Sequence, residues 1–244
     1  MNVREWGPAN GVPLVFWPGL NPFGALQLVE VGPLLAERGV HVLACEPPWD
    51  LPEPDDYLPS RLADLVLETV PFERFVFMGH SWGGSIGVQL AADHPERLEG
   101  LVLLDAGYRD VELEGSRDEL VESFEAEQAA FGFDSWDAFR AWVGPRNWER
   151  YRAGVVERDG RIVARSSARA AAWALHGVSR AKQTATHERL HLPILLLLAR
   201  DAQGSIPNAE IHRLDAGHDL VEDAPEETAQ LVAAWLESAL AEHG

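Results

Sequence analysis

Apolar positions along the chain fall into short continuous runs, separated by stretches with helical spacing. The first strong run is Val12-Pro13-Leu14-Val15-Phe16-Trp17, and Pro18-Gly19 closes it. Residues 24–38 read as a helix stopped by Gly39. Val40 to Cys45 is a second β-rich run, ended by Pro47-Pro48. Leu62, Leu65, Val66 and Val70 give residues 60–70 a helical face. Arg74 to Met78 is a third strand, and the Gly- and Ala-rich residues 82–92 a buried helix. Leu101 to Leu104, Pro193 to Leu198 and Glu210 to Leu214 follow as strands, and residues 225–240 as a closing helix. Strands apolar on every residue, rather than on alternate ones, are buried on both faces. Alternated with helices, they predict an α/β fold with a mostly parallel central sheet flanked by helices.

Residues 107–190 break this alternation. They hold no convincing central strand, are rich in Glu, Arg and Ala, and carry Trp136, Trp142, Trp148 and Trp173. They are expected to be a helical lid inserted directly after a strand, where ligand sites of α/β folds lie. The expected organisation is therefore a core of residues 1–106 and 191–244 with a cap of residues 107–190. The alternative is a helical subdomain with no part in the site. The Pro- and acid-rich stretch Glu46 to Pro59 reads as a loop stiffened by its prolines.

Charge narrows the function classes. Among 244 residues, 39 acids against 20 bases give a formal net charge of −19. A scaffold this negative repels phosphate backbones and anionic lipid, so neither nucleic acid nor membrane is an expected partner. The single cysteine, Cys45, rules out an internal disulfide. No apolar run approaches the ~18 residues of a membrane-spanning helix. The first ten residues lack a basic segment followed by an apolar one, so no signal peptide is expected. A cytoplasmic location, and a small molecule as partner, are the expectations that follow.

The chemistry concentrates at Gly79-His80-Ser81-Trp82-Gly83, a G-x-S-x-G sequence between a predicted strand and a predicted helix. A serine on so sharp a turn is pushed out of the backbone, above the sheet edge. Glycine flanks it because the turn leaves no room for side chains. The helix N-terminus beneath it favours developing negative charge. A serine at its ordinary pKa is a poor nucleophile and needs a base. Of nine histidines, His218 is the best placed, in the turn Ala216-Gly217-His218 after a predicted strand. His80 lies inside the turn itself and is expected to point away from the attacking oxygen. His187 and His191 come nearest to metal-ligand spacing but sit on no credible scaffold, so no metal is expected.

On these residues the chain resembles the α/β-hydrolase superfamily over nearly its whole length. Glu5-Trp6-Gly7 through Trp17-Pro18-Gly19-Leu20 is similar to that family's entry strand and oxyanion loop. The stretch from Asp93-His94-Pro95 to Leu103-Leu104-Asp105 is similar to its segment after the elbow helix. Gly217-His218-Asp219, followed by Pro225-Glu226-Glu227, is similar to its histidine loop and last helix. The resemblance implies a Ser-His-Asp triad with Ser81 as nucleophile and His218 as base, and no cofactor. It leaves two acids open: Asp105, at the end of the strand after the elbow helix, as in some branches, and Asp201, after the penultimate strand. It implies an oxyanion hole made by the backbone N–H groups of Leu20 and Trp82, although Pro18 stands where the family usually has histidine. The implied activity is hydrolysis of an ester, lactone or related acyl bond. Carbon–carbon bond hydrolysis, a perhydrolase-like reaction and a non-catalytic small-molecule binder are the alternatives. Nine tryptophans, several near the expected cleft, predict an apolar substrate.

Overall fold

The computed structural model describes residues 1–144 and 148–241. Residues 145–147 of the expected cap and 242–244 of the expected core lie outside them. In chain order, β1 (Val3–Trp6) and β2 (Val12–Trp17) lead to α1 (Val31–Ala36) and β3 (Val40–Cys45). Next come α2 (Pro59–Thr69), β4 (Phe75–His80), α3 (Trp82–Asp93) and β5 (Leu98–Leu104). Then follow α4 (Arg117–Ala130), α5 (Trp136–Val143), α6 (Trp148–Ala153), β6 (Val155–Arg158), β7 (Arg161–Ala164), α7 (Ala168–Arg180) and α8 (Gln183–Thr186). β8 (Ile194–Leu198), β9 (Glu210–Arg213), α9 (Leu220–Asp223) and α10 (Pro225–Ala241) complete the chain.

Seven strands form one sheet in the order β1-β3-β2-β4-β5-β8-β9. Only β1 runs antiparallel, pairing Val3 with Cys45 and Trp6 with Val42 at the edge. The other pairings are parallel. The continuous apolar runs are explained by where their side chains go. Val15 and Trp17 of β2 and Phe75 and Phe77 of β4 join α2 and α3 in one core layer. Leu14, Phe16, Val76 and Met78, alternating with them, join α1 and α10 in the other. Each such side chain withdrawn from water contributes about 1.5–3 kcal/mol, and every residue of β4 is buried.

The expected helix over residues 24–38 is shorter and split. A 3-10 turn covers Gly24–Leu28, and α1 begins only at Val31. Gly24 sits at φ +55°, with the Glu46 carboxylate where a side chain would be, and that carboxylate accepts the Ala25 N–H at 3.0 Å. This tight turn displaces the first helical residues. Gly39, at φ +80°, ends the segment as its sequence position suggests.

Residues 107–190 are not wholly helical. Besides α4 to α8 they contain an antiparallel hairpin, β6 with β7, closed by Asp159 and Gly160 at φ +51° and +75°. Two consecutive residues with positive φ make the tight turn whose twist suits a hairpin. The hairpin packs with α5 and α6 around Phe139 in a small core of its own. Among the described residues, none of 107–190 contributes a strand to the seven-stranded sheet.

Candidate active site

β4 enters a turn at Ser81, and α3 leaves it. Ser81 lies at φ +52°, ψ −113°, a conformation that costs a non-glycine residue roughly 1–3 kcal/mol and must be held by its surroundings. The holding is visible in the flanking glycines. A Cβ on Gly79 would stand 2.3 Å from the Gly83 carbonyl oxygen, and one on Gly83 would stand 2.2 Å from that of Trp17. A Cβ on Gly84 would meet the Cβ of Ala106 at 2.2 Å. The Ser81 N–H donates to Leu104 O across to β5 (3.2 Å), fixing the turn to the last residue of the strand that Asp105 follows.

His218 lies in the loop between β9 and α9. Its Nδ1–H donates to Asp105 Oδ2 at 2.6 Å. Because a carboxylate only accepts, the proton is on Nδ1 and the lone pair on Nε2. Asp105, at φ +47°, is tethered by its own N–H to Leu197 O (2.7 Å). Its Oδ1 accepts from the Ala199 N–H (3.2 Å) and the Tyr108 hydroxyl (3.3 Å). Burial pushes the Asp105 carboxyl up. The hydrogen bonds from His218 and Ala199, the charge of His218 and the Tyr108 hydroxyl outweigh it and hold the carboxyl below its ordinary value. Asp201 is exposed in the turn after β8. It borders the same shallow notch as His218 but makes no hydrogen bond to it among the described residues.

Ser81, Trp82, Leu20 and His218 line one cavity of about 190 Å³, whose apolar wall includes Val111, Leu175 and Val178. Ser81 Oγ makes no hydrogen bond to His218 among the described residues. Contacts of this kind tighten as a substrate closes the geometry. The N–H groups of Leu20 and Trp82 are likewise unused by any protein acceptor among the described residues. The loop carrying Leu20 is held one residue earlier, where the Gly19 N–H donates to Gln27 Oε1 at 2.8 Å.

His80 points away from the cavity. It is 4% exposed, and its Nε2–H donates to the His218 carbonyl oxygen at 2.8 Å. Burial lowers its pKa, and the neighbouring His218 charge acts in the same sense. The nearby Asp219 and Asp105 carboxylates and the hydrogen bond to His218 oppose this without reversing it.

The matching family model, described as the alpha/beta hydrolase family, covers residues 14–231. The chain belongs to the alpha/beta hydrolase family. Lipase LipV of Mycobacterium tuberculosis is 41% identical over 120 residues, which are 48% of this chain and 44% of that protein. The chain's matches span between 16% and 44% of the length of its curated relatives. Among solved structures, a hydrolase from Pseudomonas aeruginosa superposes with a TM-score of 0.76 at 21% identity, covering 96% of this chain and 93% of that one. The enol-lactonase of Burkholderia xenovorans gives a TM-score of 0.72 at 19% identity, covering 97% and 96%. At such identities the likeness is one of fold.

In this member of the family the tryptophans divide between the cleft and the cores. Trp82 lines the cavity, and Trp49, 5.8 Å from it, borders a second apolar groove of about 350 Å³ with Leu20, Phe124 and Phe131. Trp17 is wholly buried beneath them. Trp136 and Trp148 pack instead around Phe139, and Trp142 also lies against its ring. Two polar residues carry no sequence signal. One is Gln27. The other is Arg150 of α6, 2% exposed, whose guanidinium lies 2.5 Å from Glu222 and 3.5 Å from Glu30. It joins α6 to α9, which directly follows the His218 loop. No group of three or more His, Cys, Asp or Glu among the described residues could cage a metal ion, and no helix among them is long and apolar enough to cross a membrane.

Proposed function

We propose that the protein is a serine hydrolase that cleaves an ester, lactone or related acyl bond of a small, apolar substrate. One observation carries the reading. The His218 Nδ1–H donates a hydrogen bond to Asp105 Oδ2 at 2.6 Å, which leaves the basic Nε2 free on a ring that lines the same cavity as Ser81. In this reading Ser81 Oγ attacks the carbonyl carbon while His218 Nε2 takes its proton. Asp105 holds the ring's tautomer and stabilises the imidazolium. The carbonyl oxygen becomes an oxyanion facing the N–H groups of Leu20 and Trp82, and each such donor is worth about 2.7–4 kcal/mol of barrier. Collapse of the tetrahedral adduct breaks the bond to the leaving oxygen, which takes the proton from His218. Water, deprotonated by the same nitrogen, then cleaves the acyl-enzyme and regenerates Ser81. No step calls for a cofactor.

The cavity wall of Val111, Leu175 and Val178 and the groove beyond Leu20 support an apolar acyl or alcohol portion. A cytoplasmic location belongs to the same reading and rests on the single cysteine, buried at Cys45. The test is covalent labelling with a fluorophosphonate, together with hydrolysis of an aryl ester. Wild type is expected to label and turn over, and Ser81→Ala to do neither while remaining folded. A folded wild-type chain that neither labels nor hydrolyses overturns the reading.

A further inference from the structure

Building on the serine-hydrolase reading, we propose that Gln27 is a positioning residue: one buried amide that locks the oxyanion loop, the serine turn and the histidine loop to one another. The side chain is 2% exposed, and each end of its amide is used. Oε1 accepts the Gly19 N–H at 2.8 Å. Nε2 donates to His80 Nδ1 at 2.9 Å and to Asp219 Oδ2 at 3.0 Å. His80 Nε2–H passes the connection on to the carbonyl oxygen of His218. The three loops meet at this one side chain, although Gln27 and Asp219 are 192 residues apart in sequence.

The chemistry of the partners fixes every proton. Gly19 N–H can only donate, so the amide oxygen faces it. The Asp219 carboxylate accepts, so the NH2 faces that side. His80 Nδ1, met by an N–H, must then be the bare nitrogen, which puts the ring proton on Nε2 opposite a carbonyl oxygen that can only accept. One amide orientation and one tautomer satisfy all four contacts. Other residue types fail. Glu at position 27 could hold Gly19 but has no N–H for the other two partners, and Met could do neither.

Two further observations show why this matters to the reaction. Pro18 and Gly19 offer no side-chain hydrogen bond. Gln27 holds the peptide between them, while the next peptide, which carries the Leu20 N–H, is held at its Gly19 carbonyl oxygen by Asn21 N–H (2.9 Å) and Nδ2 (3.2 Å), so the direction of that N–H depends on both anchors. A Cβ on Gly19 would lie 2.7 Å from His80 Nδ1, so the loop rests directly on the imidazole that Gln27 orients. Asp219 Oδ1 is buried without a partner, which leaves Gln27 as the hydrogen-bond donor to that carboxylate among the described residues. A donor displaced by a fraction of an ångström no longer meets the oxyanion, and that loss falls on the transition state rather than on substrate binding.

The experiment uses the full chain as wild type, Gln27→Met and Gln27→Glu. Active sites are counted by fluorophosphonate titration before aryl-ester kinetics. Per titrated site, kcat and kcat/KM of Gln27→Met are expected to fall together, by about 10²-fold. KM stays near wild type, because Gln27 does not line the cavity. Gln27→Glu is expected to lose kcat as well, and its His80 gains a second ring N–H opposite the new carboxylate, visible in 15N NMR. In wild type the same spectrum shows His80 with Nε2 protonated and Nδ1 bare. A kcat per titrated site unchanged in either variant, or wild-type His80 protonated on Nδ1, overturns the proposal. If neither variant folds, the wild-type His80 signal decides. A wild-type enzyme that fails to label defeats the serine-hydrolase reading instead, and the tautomer still reports on the clamp.

Discussion

His218 and Asp105 are 113 residues apart in the chain and 2.6 Å apart in space. The loop after β9 brings one of them and the end of β5 the other. Asp201, nearer to His218 in sequence, stays outside this contact.

The two acids can therefore be separated by substitution. Asp105→Asn removes the group that fixes the His218 tautomer and is expected to lower kcat on an aryl ester by about 10³–10⁴-fold. Asp201→Asn is expected to stay within about twofold of wild type. Steady-state rates of the two variants at neutral pH check this, and the reverse ranking would move the role to Asp201.

The depressed carboxyl of Asp105 has a consequence for stability. A group whose folded pKa lies below its unfolded value stabilises the fold above the unfolded pKa, and that contribution is lost as pH falls through the folded one. Asp105 is in this class. The difference in urea midpoint between wild type and Asp105→Asn is expected to be constant at neutral pH. It then narrows on acidification, through and below the ordinary carboxylate range. A gap that widens instead would contradict the assigned shift.

Gly83 offers a purely steric test. A methyl group there meets the backbone oxygen of Trp17 at 2.2 Å, and backbone cannot step aside as a flexible side chain can. Gly83→Ala is expected to cost at least ~2 kcal/mol in chemical denaturation and to abolish labelling of Ser81. An alanine variant with wild-type stability would mean that α3 moves freely against β2.

The Arg150–Glu222 pair predicts an asymmetry. Arg150 is 2% exposed, while the side chains of Glu222 and Glu30 are 23% and 42% exposed. Removing the cation leaves two carboxylates that water can reach. Removing Glu222 leaves an interior guanidinium with only the more distant, more exposed Glu30 beside it, and a buried charge that loses a partner typically costs up to about 3–5 kcal/mol. Glu222→Gln is thus expected to destabilise more than Arg150→Met, as read from unfolding midpoints. Burial raises the Glu222 pKa against the pull of Arg150. A raised pKa means that the Glu222 carboxylate takes up a proton, and loses its charge, at a higher pH than an ordinary one, so the ion pair weakens as pH drops.

The sheet was legible because burial on both faces leaves a plain mark: unbroken apolar runs such as Phe75 to Met78. The serine turn was legible because its crowding admits only glycine at Gly79 and Gly83. Other features left less trace. The Asp159-Gly160 dipeptide is a turn signal, but its flanks, Val155 to Arg158 and Arg161 to Ala164, mix charges with apolar residues and lie among helices, so no strand pattern marks the hairpin in the sequence. The choice between Asp105 and Asp201 turns on side-chain direction at two neighbouring strand ends, which one sequence does not encode locally. Gln27 and Arg150 act through partners as far as 192 residues away. In their own segments each is an ordinary polar residue on a helical stretch.

The Ser81 N–H holds the end of β5, and the Asp105 N–H holds the end of β8. Ser81 and Asp105 are thereby set one strand apart, on a ruler whose graduations are the ~4.8 Å between neighbouring strands. Such a ruler is made of peptide groups, which every sequence shares. The outer faces of the helices can drift far while the graduations stay put, which accounts for a backbone that still superposes on distant hydrolases after four-fifths of its residues have changed.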